Sequence, residues 1–481
     1  MILAADDLKK LEAYRDQARQ GGGRQQIDAQ HARGKLTARE RIDRFLDQGS
    51  FQELDPYLTH RATDFDMAGR RVPGDAVVAG AGTVDGRLVC VYAQDFTVFG
   101  GSFSEAQALK VARVMELALQ SGHPIIGLND SVGARIQEGV RSLSGYADLF
   151  WRNTQASGVV PQISLMLGPC AGGSVYSPGL TDFIVMVRGL SHMFITGPDV
   201  IRTVTGEEVD FETLGGAMAH ASMSGVAHLV ADDETEALTL CRRLLSYLPT
   251  SNRQAPPVAP SNPDLEPDGN TLDALLSTAN FSPLEARCLL GHLFDRDTFF
   301  ELHRHFAPAI VVGFARLSGH TVGVVAWQSA ETDGRLGIDA SDKVARLVRL
   351  CDAFNIPLIT LIDAPGFAAD KDQARRGLVR HAARLAFAYA EATVPRIAVV
   401  THRLSGSLYA ALGCPGRTAD LTFAWPWARL GDRPAFEAAE AGLINQIIRP
   451  GETRGRLVGA LAVLRSKQTP SPPRKHGNMP L

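Results

Sequence analysis

The sequence predicts an α/β protein built from two similar domains in tandem. Apolar runs that read as strands alternate with stretches of helical spacing, and helices start at glycine turns. An ordered set of residues recurs in the second half at a nearly constant offset. A stretch rich in Pro, Asn and Ser, residues 249–271, reads as a linker between a domain of residues 1–248 and one of residues 272–481.

Residues 1–50 read as helices. Leu8, Leu11 and Tyr14 recur at helical spacing until Gly21, Gly22 and Gly23 break it. Thr37 and Glu40 then stand as a capping box should. Phe51 to Leu54 leads toward a sheet, with strands expected at 77–81, 87–92, 124–128, 163–167 and 183–187. Helices are expected between about Phe103 and Gln120, after Gly173, and over Glu234–Tyr247.

The repeat is read residue against residue. An offset of 248 pairs Ala38, Arg39, Asp47, Phe51, Glu53 and Leu54 with Ala286, Arg287, Asp295, Phe299, Glu301 and Leu302. An offset of 233 pairs Gly80 and Gly86 with Gly313 and Gly319, and lays Lys110-Val111-Ala112-Arg113 on the identical Lys343-Val344-Ala345-Arg346. It also pairs Pro124, Ile126, Leu128 and Asp130 with Pro357, Ile359, Leu361 and Asp363. One residue more pairs Pro161, Ile163 and Gly172 with Pro395, Ile397 and Gly406. Chance does not give so many ordered matches.

Composition narrows the function. At 481 residues the chain exceeds one ordinary domain, and 45% hydrophobic with 21% charged residues is normal for a globular protein. A net charge of -3 leaves no basic footprint for nucleic acid. Six cysteines without a CxxC pair suit a reduced cytoplasm. The N-terminus carries no signal-peptide h-region, and no uncharged apolar run reaches the roughly 18 residues of a membrane span. No side-chain set has metal-ligand spacing, and no Walker loop or GxSxG elbow is present, so neither a metal nor an ATP site is expected.

The chemistry concentrates at Leu167-Gly168-Pro169-Cys170-Ala171-Gly172-Gly173-Ser174, where an apolar strand runs into a helix. Two successive glycines there let the backbone approach a ligand with free N–H groups, an arrangement that stabilises an oxyanion such as a thioester enolate. A tight packing turn is the plainer alternative. The device recurs as Leu404-Ser405-Gly406-Ser407-Leu408-Tyr409, where Gly173 aligns with Ser407 and Ser174 with Leu408. Ser and Leu are expected to hinder close approach and to restrict positive φ. From Asp182 the first half takes 43 residues to Gly225, while from Asp420 the second takes 22 to Gly442. The missing part corresponds roughly to Phe194–Gly215, with residues 427–434 in its place. Loop trimming or removal of a ligand-supporting wall accounts for it.

These motifs resemble the carboxyltransferase (β) subunits of biotin-dependent acyl-CoA carboxylases, of the propionyl-CoA and acetyl-CoA carboxylase type. The likeness rests on Asp95-Phe96-Thr97-Val98-Phe99-Gly100-Gly101-Ser102, Gly133-Ala134-Arg135-Ile136-Gln137-Glu138-Gly139 and Ala171-Gly172-Gly173. Ile195-Thr196-Gly197-Pro198-Asp199-Val200 and Thr205-Gly206-Glu207-Glu208 add to it. The second half contributes Asp363-Ala364-Pro365-Gly366-Phe367, Ala424-Trp425-Pro426 and Lys475-His476-Gly477-Asn478. The resemblance implies two crotonase-type domains in tandem and a homohexamer whose active site lies between the N-half of one subunit and the C-half of its neighbour. It implies an acyl-CoA substrate on the N-half, its thioester oxygen at the Gly172 and Gly173 amides. Carboxybiotin on a separate carrier subunit of a biotin carboxylase partner would sit at the amides of Ser407 and Leu408. Gly100, Gly101, Gly133, Ala134 and Arg135, with Gly406 and Tyr409, are the binding residues it implies. The family usually reads Gly-Gly-Ala-Tyr-Asp at the second turn; this chain has Gly406-Ser407-Leu408-Tyr409-Ala410, so the Asp that shapes the family's acyl pocket is Ala410.

Single side chains carry two readings each. Arg135 and Gln137 line a CoA pocket or make a structural salt bridge. His228, His220 and His402 are catalytic or packed, Tyr176 and Tyr409 reach the cleft or pack in the core, and Cys170 is a small buried hydrophobe. Three functions compete. A carboxyltransferase subunit fits the breadth of the motifs, a biotin-independent decarboxylase of malonyl- or methylmalonyl-type thioesters fits the altered second half, and a non-catalytic partner of an intact β subunit is the third.

Overall fold

The computed structural model describes residues 2–260, 266–278, 285–329, 334–470 and 472–480. It forms two compact units, Met1–Ser246 with Thr250–Arg253, and Tyr247–Pro249 with Gln254–Leu481. Each is a mixed α/β layer structure with a largely parallel sheet.

In the first unit the strands are β1 (Gln52–Glu53), β2 (Val77–Val84), β3 (Arg87–Gln94), β4 (Ile125–Ser131), β5 (Gln162–Ala171), β6 (Phe183–Val187), β7 (His192–Phe194) and β8 (Leu229–Ala231). β1, β2 and β3 pair antiparallel in that order, and β3, β4, β5, β6 and β8 continue in parallel. β7 pairs with the far end of β5. The alternation is the expected one: near-continuous apolar strands, buried on both faces, are separated by helices such as Glu105–Ser121 and Val140–Ala156. The helix Glu105–Ser121 starts on the Ser104 side chain and stops at Gly122 in the left-handed region. The capping box of Thr37 and Glu40 is formed at the start of Ala38–Phe45.

The second unit repeats this topology. Its strands are β9 (Phe300–Leu302), β10 (Ile310–Leu317), β11 (His320–Trp327), β12 (Leu358–Ala364), β13 (Arg396–Leu404), β14 (Leu421–Ala424), β15 (Arg429–Leu430), β16 (Arg433–Pro434) and β17 (Gln446–Ile447). β9, β10 and β11 are antiparallel, and β11, β12, β13, β14 and β17 are parallel. β15 pairs with the far end of β13, as β7 does with β5. Even the register slip recurs: the β4–β5 ladder shifts between Asn129 and Ser131, and the β12–β13 ladder between Ile362 and Ala364. Each slip straddles an aspartate, Asp130 or Asp363, at the strand end beside a glycine turn.

The shortened segment can now be placed. The first unit spends residues 195–228 between β7 and β8, including the helices Pro198–Thr205 and Phe211–Gly215. The second turns back at Gly431, forms β16 and the helix Ala435–Glu440, and reaches β17. The strand beside the turn has its counterpart in β15, but among the described residues nothing between β15 and Ala435–Glu440 matches the two helices Pro198–Thr205 and Phe211–Gly215. Among the described residues no helix is long and apolar enough to cross a membrane.

Candidate active site

The first turn is set by its strand. β5 ends at Ala171 and passes at once into a 3₁₀ turn, Gly172–Val175. Gly172 has φ 61°, in the left-handed region where a side chain is strained. Gly173 lies outside that region and is small for another reason: a Cβ there would stand 3.2 Å from the Tyr146 ring. The leading N–H groups of a helical turn have no partner inside it, so the turn offers the Gly172 and Gly173 amides as donors.

Behind β5 lies a buried ionic network. Asp130 takes Lys35 Nζ at 2.6 Å and Arg41 at 2.9 Å, and all three side chains are inaccessible or nearly so. Arg41 also donates to Glu234 at 2.7 Å and to the Leu167 carbonyl at 3.0 Å, which ties the N-terminal helices to the strand that ends in the turn. Burial pushes the Lys35 ammonium below its ordinary range, against the pull of Asp130. The Cys170 thiol, 1% exposed, is pushed far up by burial and stays an inert hydrophobe.

Two loops flank this strand end. Phe99–Gly101 forms a 3₁₀ turn packed against the Asp130 carbonyl, and a Cβ on Gly101 would overlap that oxygen. The Gly133 carbonyl accepts the Phe103 N–H at 2.8 Å, and Ala134 bridges to Phe103. Arg135 is 1% exposed, bonded to Asp75 at 2.6 Å and to the Ser102 hydroxyl and carbonyl. It is a structural salt bridge, so its side chain does not line an open CoA pocket. Gly100 does line a cavity of about 580 Å³, together with Arg33, Arg70, Arg71, Phe96 and Phe99. Arg33 lies over the Phe96 ring at 5.7 Å and Arg70 over Phe99 at 5.3 Å. Three exposed guanidinium groups around aromatic rings suit a phosphate-bearing nucleotide. Sequence reasoning missed these arginines, although the Arg70-Arg71 pair near the Phe96–Gly101 motif was a visible signal.

The second turn differs from expectation. Gly406, Ser407 and Leu408 form the start of a helix after the N-cap Ser405, and the first bond is made by Tyr409 N–H to the Ser405 carbonyl at 2.8 Å. The three preceding N–H groups are again helix-start donors. Gly406 has no left-handed φ, and Leu408 is right-handed at φ -74°. Leu408 is 0% exposed, its side chain turned into the core. Restricted positive φ is therefore no obstacle here, because this turn needs none. Tyr409 donates to the Leu443 carbonyl at 2.9 Å, and burial pushes its hydroxyl up to about 12. Tyr176, by contrast, is 46% exposed, so core packing does not account for it.

The histidines fall to packing roles, with one exception. His228 is buried, and its Nδ1 accepts the Ile184 N–H at 3.2 Å. His220 bonds to the Met193 carbonyl at 2.8 Å. His402 is exposed and stands 3.4 Å from Asp363, which also takes Arg403 at 2.9 Å and Ser329 at 2.5 Å. Trp427 donates its indole N–H to the Thr401 carbonyl at 3.1 Å on the same strand.

Comparison with known proteins agrees with this geometry. The carboxyl transferase domain model matches residues 29–431. A propionyl-CoA carboxylase carboxyltransferase subunit of Haloferax mediterranei is 47% identical over 99% of this chain and 99% of its own length. A methylmalonyl-CoA decarboxylase subunit alpha of Veillonella parvula is 43% identical over the full length of both. Among solved structures, a transcarboxylase 12S, described as a hexamer and determined with hydrolysed methylmalonyl-coenzyme A, superposes with a TM-score of 0.95 at 40% identity, covering 98% of each chain.

Proposed function

This chain belongs to the carboxyltransferase family, and on that premise we propose that it moves a carboxyl group from carboxybiotin to the α carbon of propionyl-CoA. The observation that carries the reading is the pair of turns. Gly172–Gly173 ends β5 and Gly406–Leu408 ends β13, the same station in two sheets of one topology.

The arginine-lined cavity beside Gly100 holds the phosphates of CoA, and the Gly172 and Gly173 amides take the thioester oxygen. Negative charge grows on that oxygen as the α proton leaves, and preorganised N–H donors stabilise it there more than in the ground state. The amides of Ser407 and Leu408 supply donors suited to a ureido oxygen. Carboxybiotin, brought by a carrier subunit of a biotin carboxylase partner, supplies the activated carboxyl and accepts the α proton. No nucleophilic side chain is required. Assembly as a hexamer and residence in the cytoplasm belong to the same reading.

A second reading has a specific observation behind it. Among its described residues the second unit has no counterpart of the helices Pro198–Thr205 and Phe211–Gly215 that follow β7 in the first, and a decarboxylase subunit is similar over the full chain. Losing carbon dioxide from methylmalonyl-CoA needs only the first turn and a proton. The test is to incubate the purified protein with methylmalonyl-CoA and follow propionyl-CoA by mass spectrometry, without and then with free biotin. Product that needs biotin supports transfer. Equal turnover without it makes the chain a decarboxylase.

A further inference from the structure

We infer that Tyr146 and Ser174 form a clamp that positions the Gly172–Gly173 turn, with Tyr146 the central positioning residue. The inference rests on the proposed role of that turn. Tyr146 Oη and Ser174 Oγ are 2.5 Å apart, and the two residues are 4% and 6% exposed. Ser174 lies within the 3₁₀ turn itself, immediately after Gly173. The ring of Tyr146 fills the space a Gly173 side chain would need. The turn is thus held from below by ring contact at one residue and by a hydrogen bond at the next.

The tyrosine is itself immobilised. Its ring stacks on Phe103 at 4.1 Å and 18°, and on Phe150 at 5.9 Å and 26°. Phe103 carries the Gly133 and Arg135 backbone bonds, and its carbonyl accepts Ser142 Oγ at 2.7 Å from the helix that bears Tyr146. One aromatic stack therefore joins the Gly133–Arg135 loop to the turn. An oxyanion hole works only when its donors are fixed before charge develops, because reorganisation then adds nothing to the barrier. The second turn has no such clamp: Leu408 stands where Ser174 stands, and it packs in the core.

A clamp that aims donors at a developing charge should act on turnover more than on substrate affinity. Tyr146→Phe and Ser174→Ala are each expected to lower kcat about fivefold to tenfold in methylmalonyl-CoA-to-biotin transfer, the weight of one hydrogen bond. KM for the thioester should stay within about twofold. The double variant should be no slower than either single one, since both remove the same bond. Unchanged kcat in the single variants, or losses that multiply in the double, overturns the clamp. Gly173→Pro separates this from the underlying reading, because it deletes a proposed donor. If Gly173→Pro turns over normally, the oxyanion role itself fails. If it is dead while Tyr146→Phe is unaffected, only the clamp fails.

Discussion

The two glycine turns sit at the same place in sheets of the same topology, yet they are supported differently. The first rests on a hydroxyl pair and an aromatic stack, with a buried ionic network behind its strand. The second rests on the apolar side chain of Leu408 and on Tyr409 anchored to Leu443. At the aspartate that each register slip straddles, Asp130 is sealed with Lys35 and Arg41, whereas Asp363, also buried, meets cations that reach water, the part-exposed Arg403 and the exposed His402. What the halves share is the sheet and a set of backbone donors. What has diverged is everything that fixes those donors, and the wall after β15.

The largest effect should come from the sealed aspartate. Breaking a buried pair by removing one charge costs about 3–5 kcal/mol, so Asp130→Asn should cost that much in stability. Asp363→Asn, also buried but with cations that reach water, should cost less, about 1–3 kcal/mol. Amide exchange read separately over β4–β5 and β12–β13 checks this. Equal loss of protection in both sheets would contradict the contrast.

Next come the donors. Gly173→Pro and Ser407→Pro each delete one N–H at equivalent turns, and loss of an oxyanion donor typically lowers kcat by about 10²–10³. Both should fall by that amount if carboxyl passes between the two turns. A decarboxylase would lose turnover only in Gly173→Pro. Steady-state rates of the two variants with methylmalonyl-CoA separate the cases.

The repeat itself was legible because duplication leaves matched residues at fixed offsets, and the β pairing follows those offsets. Gly172 was legible because its left-handed backbone admits little else. Support for the turn was not. Tyr146 and Ser174 are 28 positions apart, and Asp130 lies 95 from Lys35, so only the folded chain brings them together. The arginines of the cavity come from two N-terminal segments that carry no periodic signal. Ser407 and Leu408 misled for a further reason: side-chain identity at a turn says nothing until the backbone shows whether a left-handed residue is required.

A smaller effect compares the repeated lysines. Lys343 Nζ reaches four carbonyl oxygens, of His303, Phe306, Ala307 and Ile310, while Lys110 reaches those of Gly74 and Val77. Burial pushes the two ammonium groups down to about 7 and about 8. A lysine in the unfolded chain titrates near 10.4, so above about pH 7 the unfolded state binds more protons than the folded one. Stability should accordingly rise between about pH 7 and pH 10 and be lowest below that window. Lys343→Met should flatten its share of the rise and, by leaving carbonyls unpaired, cost on the order of 2 kcal/mol at neutral pH. Lys110→Met strands fewer acceptors and should cost less. A pH series of denaturant melts that keeps its slope in Lys343→Met would count against this account.

The smallest effect tests whether the second turn is impaired at all. Ser407→Gly restores the residue found at the aligned position in the first half. Were the serine blocking a strained turn, the change should speed transfer substantially. The backbone argues otherwise: Gly406 has no left-handed φ, the N-cap Ser405 is extended, and Leu408 is helical, so a glycine gains no conformational freedom the turn can use. It also raises the entropy lost on ordering a helix start, by a few tenths of a kcal/mol at such a position. We therefore expect Ser407→Gly to leave kcat within about threefold of the parent and to lower stability slightly. A tenfold gain would show that the hydroxymethyl group itself stands in the way of the acceptor, and would move the difference between the halves from their supports to their side chains.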